Sequence, residues 1–106
     1  MNILRDFEGR HIRLSAERRT HILEHPEMAR MLNSIAETLR TPERVVESAS
    51  DDRARLYYHY YLGTAVGDKY LCVVVKVSER DAFVITAYLT DAIKVGVVLW
   101  PRKPSS

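Results

Sequence analysis

The sequence predicts an α+β fold in which N-terminal helices pack on one face of an antiparallel sheet of about four strands. Helical periodicity is confined to the first 41 residues, and alternating β-branched and aromatic residues dominate residues 55–100. Short polar turns separate the strand-like segments, which is typical of an antiparallel meander. The 106 residues suffice for one domain. We expect residues 1–106 to form it, with a core at about 10–100 and a tail at 101–106.

The N-terminal third predicts an edge strand followed by two helices. The strand is a short alternating segment that includes Ile12 and Leu14. Ser15 is a suitable N-cap for the first helix, which should break at His25 because a following proline disfavours the α conformation. Apolar residues at i, i+3, i+4, i+7 spacing then predict a second helix that begins at Pro26 and ends at Thr41-Pro42. These residues are Met28, Met31, Leu32, Ile35, Ala36 and Leu39.

The rest of the chain predicts strands separated by turn residues. Gly63, Gly67 and Asp68 supply the chemistry of the first turn. The turns or loops are expected at 63–69, 78–81 and 90–94. The strands are expected at 45–46, 55–62, 70–77, 82–89 and 95–100.

Alternation along the predicted strands separates their side chains into two faces. The apolar set is expected to lie under the helices: Leu56, Tyr58 and Tyr60 with Leu71, Val73, Val75 and Val77 and with Phe83, Ile85, Ala87 and Leu89. The polar set is Arg55, Tyr57, His59 and Tyr61 with Tyr70, Cys72, Val74 and Lys76 and with Val84, Thr86 and Tyr88. A polar sheet face is either simply solvated or a platform on which tyrosines stack on bases and cations bind phosphate.

Composition excludes several classes of protein. The net charge of +2 excludes a strongly basic nucleic-acid clamp but allows a small basic site. The single cysteine, Cys72, excludes an internal disulfide and a cysteine-rich zinc fold. No segment approaches the roughly 20 apolar residues that span a bilayer, and Asp6 and Glu8 are not typical of a signal peptide. We therefore expect a cytoplasmic protein without a membrane partner.

The segment from His21 to His25 matches the H-x-x-E-H motif of zinc peptidases. That motif requires both histidines on one turn of an uninterrupted helix, whereas Pro26 follows the second histidine directly. We therefore expect no metal ion and no other cofactor. The histidines are either ordinary helix-surface and helix-end residues or acid–base groups.

An acid–base role for the histidines is compatible with RNA cleavage. RNA carries its own nucleophile, the 2′-hydroxyl, so that cleavage needs a base, an acid and a cation that stabilises the charged intermediate. The candidate proton carriers are His21, His25 and His59. The candidate phosphate-stabilising cations are Arg55, Lys76 and Lys94.

Five segments together resemble the phage members of the barnase/EndoU/colicin/RelE-like nuclease group. The segments are 11–15, 21–28, 69–76 and 83–90, followed by Lys94 with Leu99-Trp100, so that the resemblance covers about residues 10–100. It implies helices packed against a four-stranded antiparallel sheet and metal-independent RNA cleavage, often by a toxin or effector. By position it implies catalytic roles for His21, His25, Lys76, Thr86 and Tyr88, with Lys94 just beyond them.

The leading hypothesis is an endoribonuclease that acts by general acid–base catalysis, with RNA as its substrate. Arg55, Tyr57, His59 and Lys94 are its candidate substrate-binding residues. The alternative is a non-catalytic module that binds a protein or nucleotide with the polar face. A third hypothesis is a toxin whose antitoxin or immunity protein covers that face. The sequence indicates no oligomeric state.

Overall fold

The computed structural model describes residues 2–102, in which seven strands form one mixed sheet with two α-helices on one side. The helices are α1 (Ala16–Leu23) and α2 (Leu32–Arg40). The strands are β1 (Asn2–Arg5), β2 (His11–Leu14), β3 (Arg44–Glu47), β4 (Ala54–Thr64), β5 (Gly67–Val77), β6 (Ala82–Thr90) and β7 (Val98–Trp100). The strand order across the sheet is β1-β2-β6-β5-β4-β3-β7. Residues 103–106 of the predicted tail lie outside the described residues.

The helix boundaries follow from capping and proline chemistry. The Ser15 hydroxyl accepts the backbone N–H of Arg18 at 3.2 Å and starts α1. The predicted break at His25 is confirmed, because Pro26 begins a short 3-10 helix that ends at Met28. The predicted second helix is therefore divided into this 3-10 turn and α2, because an i, i+3 apolar spacing fits a 3-10 turn as well as an α-helix.

The prediction of about four antiparallel strands is wrong in number and in direction. The long strands β4, β5 and β6 form an antiparallel meander, as expected. Strand β2 pairs with β6 in parallel, and β1, β3 and β7 complete the sheet. The sequence predicts strands at the positions of β2, β3 and β7 but not at β1, whose four residues hold too few alternations to be recognised from periodicity. Within residues 2–102, no helix has the length and apolar character needed to cross a membrane.

The sheet has a helix-contacting face and a helix-free face. On the first, side chains such as Ile22, Ile35 and Leu39 pack against Leu71 and Val73 in the main core. The second holds a smaller buried cluster of Val46, Leu56, Tyr58 and Cys72, against which Ile93 packs from the loop after β6. The helix-free face is therefore covered in part by this loop and exposed elsewhere, as at Thr86.

The register corrects the predicted faces of β4. Tyr57 pairs with Val73 and Tyr58 pairs with Cys72. The helix-contacting face therefore holds Arg55, Tyr57, His59 and Tyr61, and the helix-free face holds Leu56, Tyr58 and Tyr60. Alternation could not decide between the faces because Tyr57 and Tyr58 are both fully buried, one on each side of the sheet.

A β-bulge in β6 corrects the faces of that strand as well. Val74 pairs with Thr86 and Val75 pairs with Val84, so that Ile85 is an extra residue. Val84 therefore lies in the main core, whereas it was predicted on the polar face. Phe83, which was predicted on the apolar face under the helices, lies instead on the helix-free face beside its partner Lys76. The predicted common face of Lys76, Thr86 and Tyr88 is confirmed.

Candidate functional site

Side chains on the helix-free face form rows across the sheet, because residues that pair between neighbouring strands lie side by side. The first row carries two cations on either side of an aromatic ring, and the last two rows are rich in tyrosine. From first to fourth, the rows are Arg13-Phe83-Lys76, Thr86-Val74-Leu56, Tyr88-Cys72-Tyr58 and Thr90-Tyr70-Tyr60.

The third row is a polar cluster of two phenols and a thiol, in which Tyr58 and Cys72 are fully buried and Tyr88 is partly exposed. Burial raises the pKa of Cys72, and hydrogen bonds to Tyr88 and Tyr58 partly offset this effect. Burial also raises the pKa of Tyr58 to about 12 and the pKa of Tyr88 further. Since both phenols keep their protons at neutral pH, Tyr88 can act there as a proton donor.

The loop after β6 adds Lys94 to this row. Its backbone N–H donates to the Tyr58 hydroxyl at 3.1 Å, and its Nζ lies 5.9 Å from the centroid of the Tyr88 ring. Lys94 therefore places a positive charge beside a protonated phenol.

Lys76 lies at the other end of the helix-free face and is held by a carboxylate. Its ammonium donates to one oxygen of Asp51, in the β3–β4 loop. The other Asp51 oxygen accepts the backbone N–H of Arg53 at 2.9 Å. The hydrogen bond from Lys76 is the main cause that lowers the pKa of Asp51. Lys76 is therefore a fixed cation whose present partner is an anion.

The structure does not bring His21 and His25 to the other three predicted catalytic residues. Both histidines lie in the helix layer, with 61% and 69% of their side chains exposed. His21 lies 3.7 Å from Glu24, and His25 lies 3.7 Å from Glu27. The sheet separates them from Lys76, Thr86 and Tyr88, so that one cleft does not hold all five.

Arg55 and Tyr57, two predicted substrate-binding residues, lie on the helix-contacting face. The Tyr57 hydroxyl donates to the buried Asp6 carboxylate at 2.8 Å, and burial raises the pKa of Tyr57. Arg55 lies 3.6 Å from Glu8. Both residues connect β4 to the N-terminal hairpin and are separate from the helix-free face.

His59, a third predicted substrate-binding residue, lies beside the C-terminal end of α2. Its Nδ1 lies 2.7 Å from the Thr41 carbonyl oxygen, and its Nε2 lies 3.6 Å from Glu43 and 3.9 Å from Glu37. Its ring contacts Tyr61 with 4.8 Å between centroids. This arrangement connects a strand to a helix on the side away from Lys76.

Two residues of the first row were missed by sequence reasoning. The Arg13 guanidinium donates to both oxygens of Asp81, at 2.9 and 2.5 Å, and lies 5.6 Å from the centroid of the Phe83 ring. The apolar neighbours Ile12 and Leu14 were a usable signal that Arg13 faces away from the helices. The contact with Phe83 had no such signal, because it depends on the parallel pairing of β2 with β6.

Residues 2–102 hold no metal-binding cluster, and one cavity lies beside the helices. Residues 2–102 contain no group of three or more His, Cys, Asp or Glu side chains that could hold a metal ion. A cavity of about 440 Å³ lies between the N-terminal end of α2 and the β4–β5 hairpin. It is lined by Met31, Ser34, Tyr61 and Leu62 among others and contains no predicted site residue.

Comparisons with known proteins identify one family. The family model described as phage-Barnase-EndoU-ColicinE5/D-RelE like nuclease 2 matches residues 2–100, nearly the whole chain. No curated protein and no solved structure gives a significant match.

Proposed function

Because the chain belongs to the phage-Barnase-EndoU-ColicinE5/D-RelE like nuclease 2 family, we propose that it cleaves RNA on the helix-free face of the sheet. The proposal includes general acid–base catalysis without a metal ion. One observation carries it: Lys76, Thr86 and Tyr88 share this face, and the loop after β6 adds Lys94 beside Tyr88.

In the proposed reaction, the 2′-hydroxyl of a ribose gives its proton to the Asp51 carboxylate beside Lys76. The 2′-oxygen attacks the adjacent phosphorus, and the bond to the 5′-oxygen breaks. Negative charge increases on the non-bridging phosphate oxygens. Lys76 in the first row and Lys94 beside the third row would stabilise it from opposite sides of a phosphate that lies over the second row. The leaving 5′-oxygen needs a proton, which Tyr88 can donate because its phenol is protonated at neutral pH. The exposed Thr86 hydroxyl lies in the second row, between Lys76 in the first row and Tyr88 in the third, and can donate a hydrogen bond to the phosphate.

Substrate binding in this proposal adds a phosphate to an ammonium that gives one of its three N–H donors to Asp51 and keeps the others available. In the free protein, Lys76 is paired with Asp51. A phosphodiester that reaches Lys76 meets a cation already fixed in position, which reduces the entropy cost of ordering that side chain. The tyrosines of the third and fourth rows, such as Tyr70 and Tyr60, can stack on neighbouring bases.

The test is RNA cleavage by the purified protein in the presence of EDTA. We expect end-labelled single-stranded RNA, structured RNA and ribosome-bound messenger RNA to include at least one substrate, cut to a 2′,3′-cyclic phosphate and a 5′-hydroxyl. An RNA that carries a 2′-deoxy residue at the cut site should stay intact, because its nucleophile is missing. Loss of cleavage with EDTA would contradict metal independence, and intact RNA in all three classes would contradict the proposed activity.

A non-catalytic binding module is the alternative function, and the ion pairs of the first row favour it. Arg13 and Lys76 both hold carboxylates, a chemistry that also fits acidic protein partners. This alternative predicts a complex that Lys76→Met weakens and that Tyr88→Phe leaves intact, with no RNA product. RNA cleavage lost in Tyr88→Phe would decide against it.

A toxin role is a further part of the proposal, with an antitoxin or immunity protein as partner. Such a partner would cover Lys76 and Lys94 and block access of RNA. Expression in a bacterial host should then arrest growth, and Tyr88→Phe should relieve the arrest. Normal growth with the intact protein at high expression would contradict this role.

A further inference from the structure

We infer that Arg13 is a stacking platform for one nucleobase of the substrate, in a subsite beside Lys76; this inference rests on the proposed function. The subsite comprises Arg13, the Phe83 ring beneath it and the Asp81 carboxylate at its edge. Its proposed ligand is a base next to the phosphate that Lys76 binds. Arg13 would thus contribute to affinity through its planar face and not through its charge.

The Arg13 guanidinium is fixed on two of its sides. Asp81 accepts two hydrogen bonds from it, from Nε at 2.9 Å and from an Nη at 2.5 Å, which fixes the plane of the group. The guanidinium carbon lies over the Phe83 ring, 5.6 Å from the centroid. A planar group held by a carboxylate and packed beside a ring has little freedom left to lose when a ligand binds.

The Arg13 side chain is also accessible to a ligand. The Arg13 side chain remains 39% exposed despite both contacts. Next to it in the same row, Ile3 of β1 pairs with Arg13 and is 55% exposed, which adds an apolar edge. Bases stack on the planes of arginine side chains, and such a flat surface with an apolar border suits a base better than a phosphate.

The positive charge of Arg13 is already paired within the protein. The Asp81 carboxylate neutralises it, whereas a phosphate-binding arginine needs its donor fork free for the ligand. Lys76 is the next residue in the row, on the far side of Phe83. A nucleotide can therefore place its base on Arg13 and its phosphate at Lys76, which would fix the position of the strand relative to Tyr88.

The test measures binding of a short oligoribonucleotide with 2′-O-methyl groups throughout, which cannot be cleaved. Arg13→Lys keeps the charge but loses the plane, and we expect Kd to rise about tenfold. The slope of log Kd against log salt should not change. Lys76→Met removes a phosphate contact and should lower that slope by about 0.7. A lower salt slope in Arg13→Lys, or an unchanged Kd, would overturn the inference.

Asp81→Asn is a second variant, for which two roles of Arg13 predict opposite changes in Kd. In one role Arg13 binds phosphate through its charge, and in the other it stacks on a base through its plane. Loss of a negative charge should strengthen binding of a polyanion if Arg13 acts through its charge. If Arg13 acts as a platform, loss of the carboxylate frees the guanidinium and weakens binding several-fold. Glu79→Gln is the matched control, since it removes a charge from the same turn without a described contact to Arg13. We expect Kd for Glu79→Gln to be unchanged or lower; tighter binding by Asp81→Asn would overturn the inference.

An abasic scan separates this subsite from the proposed function. When the bases are removed one at a time, one abasic position should raise the Kd of the wild-type protein about tenfold. The same abasic position should leave the Kd of Arg13→Lys unchanged. RNA binding and cleavage that depend on Lys76, without such a position, would overturn the subsite and leave the proposed function standing. Failure of the wild-type protein to bind RNA at all would overturn both.

Discussion

The hydroxyl of Tyr58 accepts the backbone N–H of Lys94 at 3.1 Å, across 36 residues of sequence. Tyr58 is fully buried in the smaller cluster on the helix-free face. The loop that carries Lys94 is therefore attached to the sheet by a rigid side chain. Through this contact, a buried residue determines where a surface cation lies relative to Tyr88.

Tyr58→Phe should lower kcat/KM for RNA cleavage about five-fold while the fold is kept. The substitution removes the acceptor for the Lys94 N–H together with a hydrogen-bond partner of the buried Cys72, and one hydrogen bond of the first kind contributes about 1 kcal/mol. The Lys94 amide should also exchange its hydrogen faster. Tyr61→Phe is the matched control, because its hydroxyl bonds to the Ser34 carbonyl on the opposite side of the sheet. Equal effects of the two substitutions on cleavage would contradict the positioning role of Tyr58.

Asp6→Ala should lower the free energy of unfolding by about 3 kcal/mol. The Asp6 carboxylate is fully buried and accepts hydrogen bonds from the Tyr57 hydroxyl at 2.8 Å and from Arg10 Nη1 at 2.8 Å. It also accepts the backbone N–H groups of Glu8 and Arg10. Removing it leaves these donors without their acceptor. Urea denaturation measures the loss.

The matched control for Asp6→Ala is Asp52→Ala, at an exposed position. Tyr57→Phe should remove part of the same interaction. The free energy of unfolding should therefore fall less in the double variant Asp6→Ala/Tyr57→Phe than the sum of the falls in the two single variants. Strict additivity would show that Tyr57 and Asp6 do not stabilise each other.

The free energy of unfolding should fall as the pH rises from about 10 to about 12. Burial raises the pKa of Tyr58 and of Tyr61 to about 12, from an ordinary value of 10.0. Between these values the unfolded chain has released protons that the folded protein retains, so that unfolding becomes easier with pH. Denaturant unfolding across this range measures the effect. Tyr61→Phe should show a smaller decline, and a decline equal to that of the wild type would contradict the raised pKa of Tyr61.

Gly96→Ala should destabilise the fold by about 1–3 kcal/mol and displace the segment after Lys94. A Cβ at this position would lie 2.6 Å from the Glu47 carbonyl oxygen and 2.8 Å from Val46 Cγ1. Backbone must therefore move for the methyl group to fit. Thermal unfolding measures the loss, with Val97→Ala as an exposed neighbouring control. A wild-type melting temperature for Gly96→Ala would show that the loop can move without cost.

Local chemistry was sufficient to predict the helix boundaries and part of the site. Ser15 and Pro26 determine where α1 begins and ends, and both signals lie in the immediate sequence. Alternation along a strand placed Thr86 and Tyr88 on one face, and this held because the β6 bulge lies before Thr86. These features depend on neighbours a few residues apart.

Features that depend on register could not be predicted. The faces of β4 were assigned wrongly because Tyr57 and Tyr58 are both buried, which hides the usual contrast between an apolar and a polar side. His21 is separated from Lys76 because the helices pack on one face of the sheet and Lys76 lies on the other. The contact of Arg13 with Phe83 joins strands 70 residues apart in sequence. Each of these is a property of tertiary pairing.

Single-turnover cleavage of one RNA substrate by four variants tests the location of the active site most directly. If the helix-free face is the site, Lys76→Met and Tyr88→Phe should each lower the rate constant by about 100-fold. His21→Ala and His25→Ala should keep the wild-type rate constant, because both lie on the other side of the sheet. A rate constant that falls in the histidine variants and persists in Lys76→Met and Tyr88→Phe would contradict the account.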